Sequence, residues 1–194
     1  MKIKSLFIAS SIVILLAAAS CATKKEKPKN AGALNNLPAW VIDPAVADGV
    51  AGVGIASPSA GGIKFQIPKA EMDAKANIAS TIQSEISRVT KQALRESKIN
   101  DVNDVEDFFA QATKEVVKDL PLSGVKRINI FQAQDGTLYV QMVLKNEDYS
   151  KFLANSEKTF SERLKRAKMA RQNIDEAQKS SQVIFDELEK ERGL

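Results

Sequence analysis

The strongest constraint on the fold lies in the last quarter of the chain, which contains neither proline nor glycine from Asn146 to Arg192. A stretch of about 45 such residues predicts helix, because the two residue types that most disfavour helix interiors are absent. As one helix it would be about 68 Å long at 1.5 Å per residue, which exceeds the width of a small domain. The sequence therefore predicts a long C-terminal helix over 149–194, projecting from a domain formed by 38–148.

Apolar residues recur every seven positions in this segment, at Leu153, Phe160, Ala167, Ile174 and Leu188. Ser181 occupies the one position of this series that is not apolar. Such a spacing favours a left-handed supercoil with a partner helix. Two interpretations stay open. The helix forms a coiled coil with a partner helix, or it is a solvated single helix that folds back at 178–181.

Three segments before the C-terminal helix have the composition of strands. Residues 125–133 and 138–144 flank Asp135-Gly136, and Asp-Gly between two β-rich segments predicts a hairpin. Upstream, residues 49–56 combine glycine with small and β-branched residues and end at Ser57-Pro58, as a strand would. Glycines within a strand are typical of close packing by a neighbouring element.

Two helices are predicted between these strands. The first runs from Pro68 to about Ser97 and has one apolar face, formed by Ala74, Ile78, Ile82, Ile86, Val89 and Ala93. The second is capped by Asp104, with Asp107 three residues on, and its buried face is Val105, Phe109, Ala112, Val116 and Leu120. The predicted fold class is thus α+β: a small β-α-α-β-β domain, with two helices and a three-stranded antiparallel or mixed sheet, followed by the long helix.

The first twenty residues have the order of a secretory signal peptide. Lys2 and Lys4 form a basic start, residues 5–20 carry no charge, and small residues precede Cys21. The apolar run is shorter than the roughly 20 residues that a membrane-spanning helix needs. Residues 1–20 are therefore predicted to be cleaved, between Ser20 and Cys21.

The only cysteine of the chain stands directly after this predicted signal. Ala18-Ala19-Ser20-Cys21 resembles a bacterial lipobox, with alanine where leucine is more usual. The resemblance implies that Cys21 carries diacylglycerol, and several acyl chains together anchor a protein firmly in a bilayer. Aspartate directly after the lipidated cysteine resembles an inner-membrane retention signal, and this chain has Ala22 at that position. We therefore expect an outer-membrane lipoprotein on the periplasmic face or the cell surface.

The excess of positive over negative charge comes from residues outside the predicted domain. The chain has 28 Lys and Arg against 24 Asp and Glu, a net charge of +4. Six of the lysines fall in the signal and in residues 21–37, a lysine-rich segment that is predicted to be a flexible tether. The remaining 22 basic and 23 acidic residues give a net charge of −1. The predicted domain is therefore not basic, and we expect no nucleic-acid partner.

Motifs for catalysis are weak. The chain has no histidine, and its one cysteine is assigned to lipid attachment, which excludes Ser-His, Cys-His and histidine-metal sites. One S-x-x-K match, Ser123 to Lys126, has no accompanying S-D-N or K-T-G element. We predict no catalytic residue, no metal site, no cofactor and no enzymatic activity.

Several segments together resemble the LPP-twenty (twenty-kilodalton) family of bacterial outer-membrane lipoproteins, including its FlgP-like flagellar members. The matching segments are Cys21 after a signal, 38–41 (Pro-Ala-Trp-Val), 53–56 (Val-Gly-Ile-Ala), 70–79 and 138–144. The resemblance covers about residues 38–150. It implies a compact α+β domain without known enzymatic activity and, for FlgP-like members, a ring-forming structural role around the flagellar motor.

The sequence therefore predicts an outer-membrane-anchored lipoprotein with a structural or scaffolding role. Its expected partners are the lipid bilayer, through acylated Cys21, further copies of the same chain, and an envelope or flagellar protein. The alternative is a ligand- or peptidoglycan-binding envelope module that uses Trp40 and the tether lysines. A hydrolase based on paired carboxylates is the third possibility, and it would require a cleft.

Overall fold

A computed structural model describes residues 36–96, 102–167 and 171–194 of the chain. Its elements are α1 (Ala39–Ile42), β1 (Gly49–Ala56), α2 (Ile63–Glu96), α3 (Val102–Lys118), β2 (Lys126–Gln132), β3 (Leu138–Lys145), α4 (Asn146–Arg166) and α5 (Arg171–Arg192). Apart from the single turn α1, the domain has the expected β-α-α-β-β order. The predicted α+β class is confirmed.

The three strands form one sheet in the order β1-β3-β2, and both pairs are antiparallel. Val140 of β3 pairs with Gly54 of β1 on one side and with Ile130 of β2 on the other. Residues 140–144 of the central strand are all buried, whereas most of β2 is exposed. Strand β2 is therefore a solvent-facing edge of the sheet.

The predicted hairpin joins β2 to β3. Gly136 has a φ of +82°, a conformation that glycine adopts without strain. The Thr137 N–H donates to Asp135 Oδ1 at 2.9 Å, and the Ala133 N–H donates to the Thr137 carbonyl at 2.8 Å. The Thr137 N–H also holds the pKa of the Asp135 carboxyl below its ordinary value. The Asp-Gly prediction is confirmed.

Helix α2 packs directly onto β1 because that strand carries glycine where the two backbones meet. A Cβ on Gly54 would lie 1.9 Å from the Ala70 carbonyl oxygen and 2.3 Å from the Ala74 nitrogen. A Cβ on Gly52 would lie 2.9 Å from the Ala74 carbonyl oxygen. Ala70 and Ala74 are themselves completely buried. The predicted close packing at these glycines is confirmed, as is the apolar face of α2, whose six predicted members are all buried.

Helix α2 begins at Ile63, five residues before the predicted start at Pro68. Pro68 has no N–H, so the helix lacks one hydrogen bond in its second turn. Tertiary contacts of Gln66, which is buried, compensate for this loss. Its side-chain amide donates to the carbonyl oxygens of Ser57 at 3.2 Å and Gly136 at 2.9 Å, which ties the first turn to both neighbouring loops.

Helix α3 begins at Val102, so Asp104 lies inside its first turn and the predicted capping position is wrong. Its predicted buried face is confirmed, because Val105, Phe109, Ala112, Val116 and Leu120 are all less than 9% exposed. Phe109 packs against Phe160 of α4, with ring centroids 4.9 Å apart. The four long helices therefore share one core with the sheet.

The C-terminal region is helical, as predicted, but it forms two helices rather than one projecting helix. The first ends at Arg166, where Ala167 is extended with φ −67° and ψ 139°. The second runs back antiparallel to the first, since the Asn146 side-chain amide at the start of α4 meets the Arg192 carbonyl at the end of α5 at 3.5 Å. The chain therefore turns near Ala167, not at the expected 178–181, where Ser180 and Ser181 are buried within α5.

The seven-residue pattern is satisfied inside the chain. Leu153, Phe160, Ser181 and Leu188 are buried, and Phe160 contacts Phe185 of α5 with ring centroids 6.2 Å apart. Helix α5 also packs along α2, where Arg88 Nη2 lies 2.5 Å from both carboxylate oxygens of Glu191. Three of the apolar positions that suggested a coiled coil with a partner, Leu153, Phe160 and Leu188, therefore belong to the core of this chain, whereas Ala167 and Ile174 are half-buried.

Candidate functional site

Most of the residues with a predicted role lie outside the described part of the chain. Cys21, the predicted lipid site, lies outside it, as do the predicted cleavage site between Ser20 and Cys21 and nearly all of the tether. Trp40 is half-buried in α1 and is not part of the buried core. Ser123 and Lys126 are both exposed, Ser123 in the loop before β2 and Lys126 at the start of that strand. The candidate functional sites among the described residues are therefore surfaces that no sequence motif predicted.

The two edges of the sheet differ in how their backbone groups are satisfied. Strand β1 is closed by side chains from α2. The Ile55 N–H donates to Asp73 Oδ2 at 2.8 Å, and Asn77 Nδ2 donates to the Val53 carbonyl at 2.8 Å. Such side-chain cover prevents another strand from pairing with an edge. Asp73 and Asn77 thus have a specific role that the helical pattern did not reveal.

Strand β2 presents the opposite edge to solvent. Residues 126–130 are all exposed, including Ile128 at 44% and Ile130 at 46%. Alternate backbone N–H and C=O groups of an edge strand point away from its sheet and are available for pairing. A β-bulge at Ile128, between Arg127 and Asn129, is the irregularity in the register with β3. Lys126 and Arg127 at the strand start are the sequence signal of an edge position.

Contacts on both faces fix β2 in place. On the side of α2, Arg127 Nη1 lies 2.9 Å from Glu71 Oε1. On the other face, Asn129 Nδ2 donates to Gln141 Oε1 at 2.7 Å, and Gln141 Nε2 donates to the Pro44 carbonyl at 2.8 Å. Gln141 is 2% exposed, so both ends of its buried amide are satisfied. The exposed edge is therefore rigidly positioned.

A groove of about 380 Å³ lies between α3 and α4 and contains the three carboxylates Glu115, Asp119 and Asp148. Arg163 of α4 forms an ion pair with Glu115, so one of these carboxylates is already neutralised. Within the described ranges, no cluster of three His, Cys, Asp or Glu side chains is placed to hold a metal ion. This groove therefore carries mixed charge and marks no particular ligand class.

A buried tyrosine lies where α4, α5 and α2 meet. Tyr149 is fully buried, and its hydroxyl has no hydrogen-bond partner among the described residues. The Arg192 guanidinium lies 5.8 Å from its ring centroid and forms an ion pair with Glu85 of α2. Burial raises the pKa of the Tyr149 phenol above its ordinary value, and the Glu85 carboxylate adds to this effect.

We expect Tyr149→Phe to retain or raise stability at neutral pH, by up to about 1 kcal/mol, because an unpaired buried hydroxyl is unfavourable. In the unfolded chain tyrosine ionises near pH 10, while the folded chain keeps Tyr149 protonated. The free energy of unfolding of the natural chain therefore keeps its full value below pH 10 and decreases as the pH rises above 10. Urea unfolding of both proteins between pH 7 and 11 should show an advantage for Tyr149→Phe that grows above pH 10. A loss beyond 1 kcal/mol at pH 7 would contradict this assignment.

No family model matches this sequence, and the comparison with curated proteins found no match. The LPP-twenty resemblance therefore stays a prediction. None of the helices in the described ranges has the length and apolar character that crossing a bilayer requires.

Proposed function

We propose that this chain is an outer-membrane-anchored lipoprotein with a non-catalytic, scaffolding role, which self-associates through the open edge of β2. The observation that carries the proposal is the asymmetry of the sheet. Asp73 and Asn77 close the β1 edge, whereas the β2 edge is solvent-exposed and carries two exposed isoleucines. The proposed anchor is the lipid on Cys21, which follows the predicted signal peptide.

The asymmetry also sets the size of the proposed assembly. Two copies that pair their β2 strands antiparallel form a six-stranded sheet with two-fold symmetry, the commonest symmetry of homo-oligomers. Each end of that sheet would be a β1 edge, which Asp73 and Asn77 already close. Growth therefore stops at two copies. A dimer would carry two lipid anchors, which strengthens its attachment to a bilayer without any new contact.

The test of self-association is sedimentation velocity on the full mature chain with Cys21→Ser, over protein concentrations from 1 to 200 µM. We expect a concentration-dependent dimer. The double variant Ile128→Lys/Ile130→Lys should weaken it at least about tenfold, because like charges would face each other across the paired edges. The control is Ile63→Lys/Met72→Lys, which changes two apolar residues of α2 that are at least as exposed as Ile128 and Ile130. A monomer at all concentrations, or equal dimerisation of all three proteins, would contradict the proposal.

The anchor has its own test. Cells that produce the natural chain and are fed radiolabelled palmitate should yield a labelled protein in the outer-membrane fraction. Cys21→Ser should abolish the label, because no other cysteine is present to accept a diacylglycerol group. Label that persists in Cys21→Ser would show that acylation occurs elsewhere, and unlabelled natural protein would remove the anchor altogether.

A further inference from the structure

A wide groove lies between α2 and α3, and the proposed scaffolding role makes no use of it. Its volume is about 700 Å³, within the range of about 300–1,000 Å³ that is typical of small-molecule sites. It lies away from the sheet, on the C-terminal half of α2 and the facing side of α3. Its occupancy is therefore independent of pairing at the β2 edge.

The rim of this groove is cationic. Lys91 and Arg95 stand four residues apart on α2 and so share one face of that helix, while Lys114 approaches from α3. All three are exposed, and no Asp or Glu is found among the described residues that line the groove. The neighbouring Arg88 differs, because both carboxylate oxygens of Glu191 lie 2.5 Å from its Nη2. The groove thus presents three cations without a described carboxylate partner among its lining residues.

The floor of the groove is apolar and leads towards the core. It is formed by Phe109, which is 1% exposed, and by the side chain of Leu94. Thr90 and Thr113 lie at the boundary, since they also line a narrow internal gap beside Phe160 and other core residues. That gap has only about 10 Å³ of free volume, so a long ligand would lie along the groove rather than enter the core.

We propose that this groove binds a single-chain phosphate amphiphile, a molecule of the lysophospholipid class. Charge complementarity places the phosphate between Lys91, Arg95 and Lys114, because three cations offer more donors than the two oxygens of a carboxylate can accept. The acyl chain would lie on half-buried Leu94 and exposed Ala110, above the buried ring of Phe109, which removes apolar surface of both partners from water. A cationic rim above an apolar floor matches both parts of such a molecule.

Isothermal titration calorimetry tests this with the full mature chain carrying Cys21→Ser, and with 1-oleoyl lysophosphatidic acid below its critical micelle concentration. We expect one saturable site per chain. Lys91→Gln/Arg95→Gln should lower the affinity at least about tenfold, since each change removes a charge-assisted hydrogen bond. Lys64→Gln/Lys69→Gln removes two exposed cations from the other end of α2 and should leave the affinity unchanged.

Three further titrations separate the parts of the ligand. Monooleoylglycerol keeps the chain without the charge, inorganic phosphate keeps the charge without the chain, and oleate replaces the phosphate by a carboxylate. Each should bind at least about tenfold more weakly than lysophosphatidic acid. If monooleoylglycerol bound as tightly as lysophosphatidic acid, the role of the cationic rim would be wrong. Equally tight binding of inorganic phosphate would contradict the role of the apolar floor, and equally tight binding of oleate would contradict the preference for phosphate over carboxylate. Absence of saturable binding, or equal losses in the two double variants, would overturn the site itself, whatever the oligomeric state proves to be.

Discussion

Replacing Gly54 by alanine should destabilise the fold by about 2–3 kcal/mol, although only one methyl group is added. The new Cβ would lie 1.9 Å from the carbonyl oxygen of Ala70 and 2.3 Å from the backbone nitrogen of Ala74. Both atoms belong to the backbone of α2, so no side-chain rotation can relieve the overlap. Relief requires that α2 move away from β1, which would loosen the largest contact between a helix and the sheet. Gly54→Val should prevent stable folding.

Thermal unfolding followed by circular dichroism measures this effect. Gly124→Ala is the matched control, because its Cβ would lie no closer than 3.3 Å to its nearest neighbour, the Pro121 carbonyl oxygen. We expect that control to stay within about 1 kcal/mol of the natural chain. A Gly54→Ala protein with the same melting temperature as the natural chain would show that α2 and β1 are farther apart than the structure places them.

The elements that depend on local sequence could be predicted. The Asp135-Gly136 turn needs only its own residues and the β-rich segments beside it, and the buried faces of α2 and α3 follow from their three- and four-residue spacing. Even the glycines of β1 could be interpreted, because a missing side chain in a strand signals a close neighbour. In each case the deciding information lies within about 30 consecutive residues.

The path of the C-terminal region could not be predicted, because neither proline nor glycine marks the turn near Ala167. A seven-residue apolar spacing shows that a helix face is buried, but it does not show whether the partner is another copy or the same chain. The answer depends on α2, which lies about 100 residues earlier and provides Glu85 and Arg88 as partners for α5.

The sequence also did not predict which of the two sheet edges is covered by side chains and which is exposed to solvent. It depends on the strand order β1-β3-β2 and on which side chains of α2 reach β1, and both are set by contacts distant in sequence. Asp73 and Asn77 have the same spacing as many exposed residues of an amphipathic helix. The cationic groove likewise depends on the packing of α2 against α3, because Lys114 comes near Lys91 and Arg95 only in the folded chain.

A chain that ends at Arg166, and so lacks α5, should lose cooperative unfolding. Helix α5 buries Ile184, Phe185 and Leu188, each less than 9% exposed. Burial of such side chains contributes about 1.5–3 kcal/mol each, so their joint loss approaches the 5–15 kcal/mol that stabilises a typical domain. The truncation would also expose Tyr149 and Phe160. A freely projecting helix, by contrast, would be removed without any effect on the domain.

Point variants within the same helix make this prediction quantitative. Leu188→Ala should cost about 2–5 kcal/mol, as substitutions of fully buried leucines do. Val183→Ala is its control, since Val183 is 51% exposed on the outer face of α5 and should change stability by less than about 0.5 kcal/mol. Urea unfolding of both variants and of the truncated chain provides the measurement. Equal midpoints for Leu188→Ala and Val183→Ala would contradict the packing of α5 into the core, because only one of these two side chains is enclosed by α4 and α2.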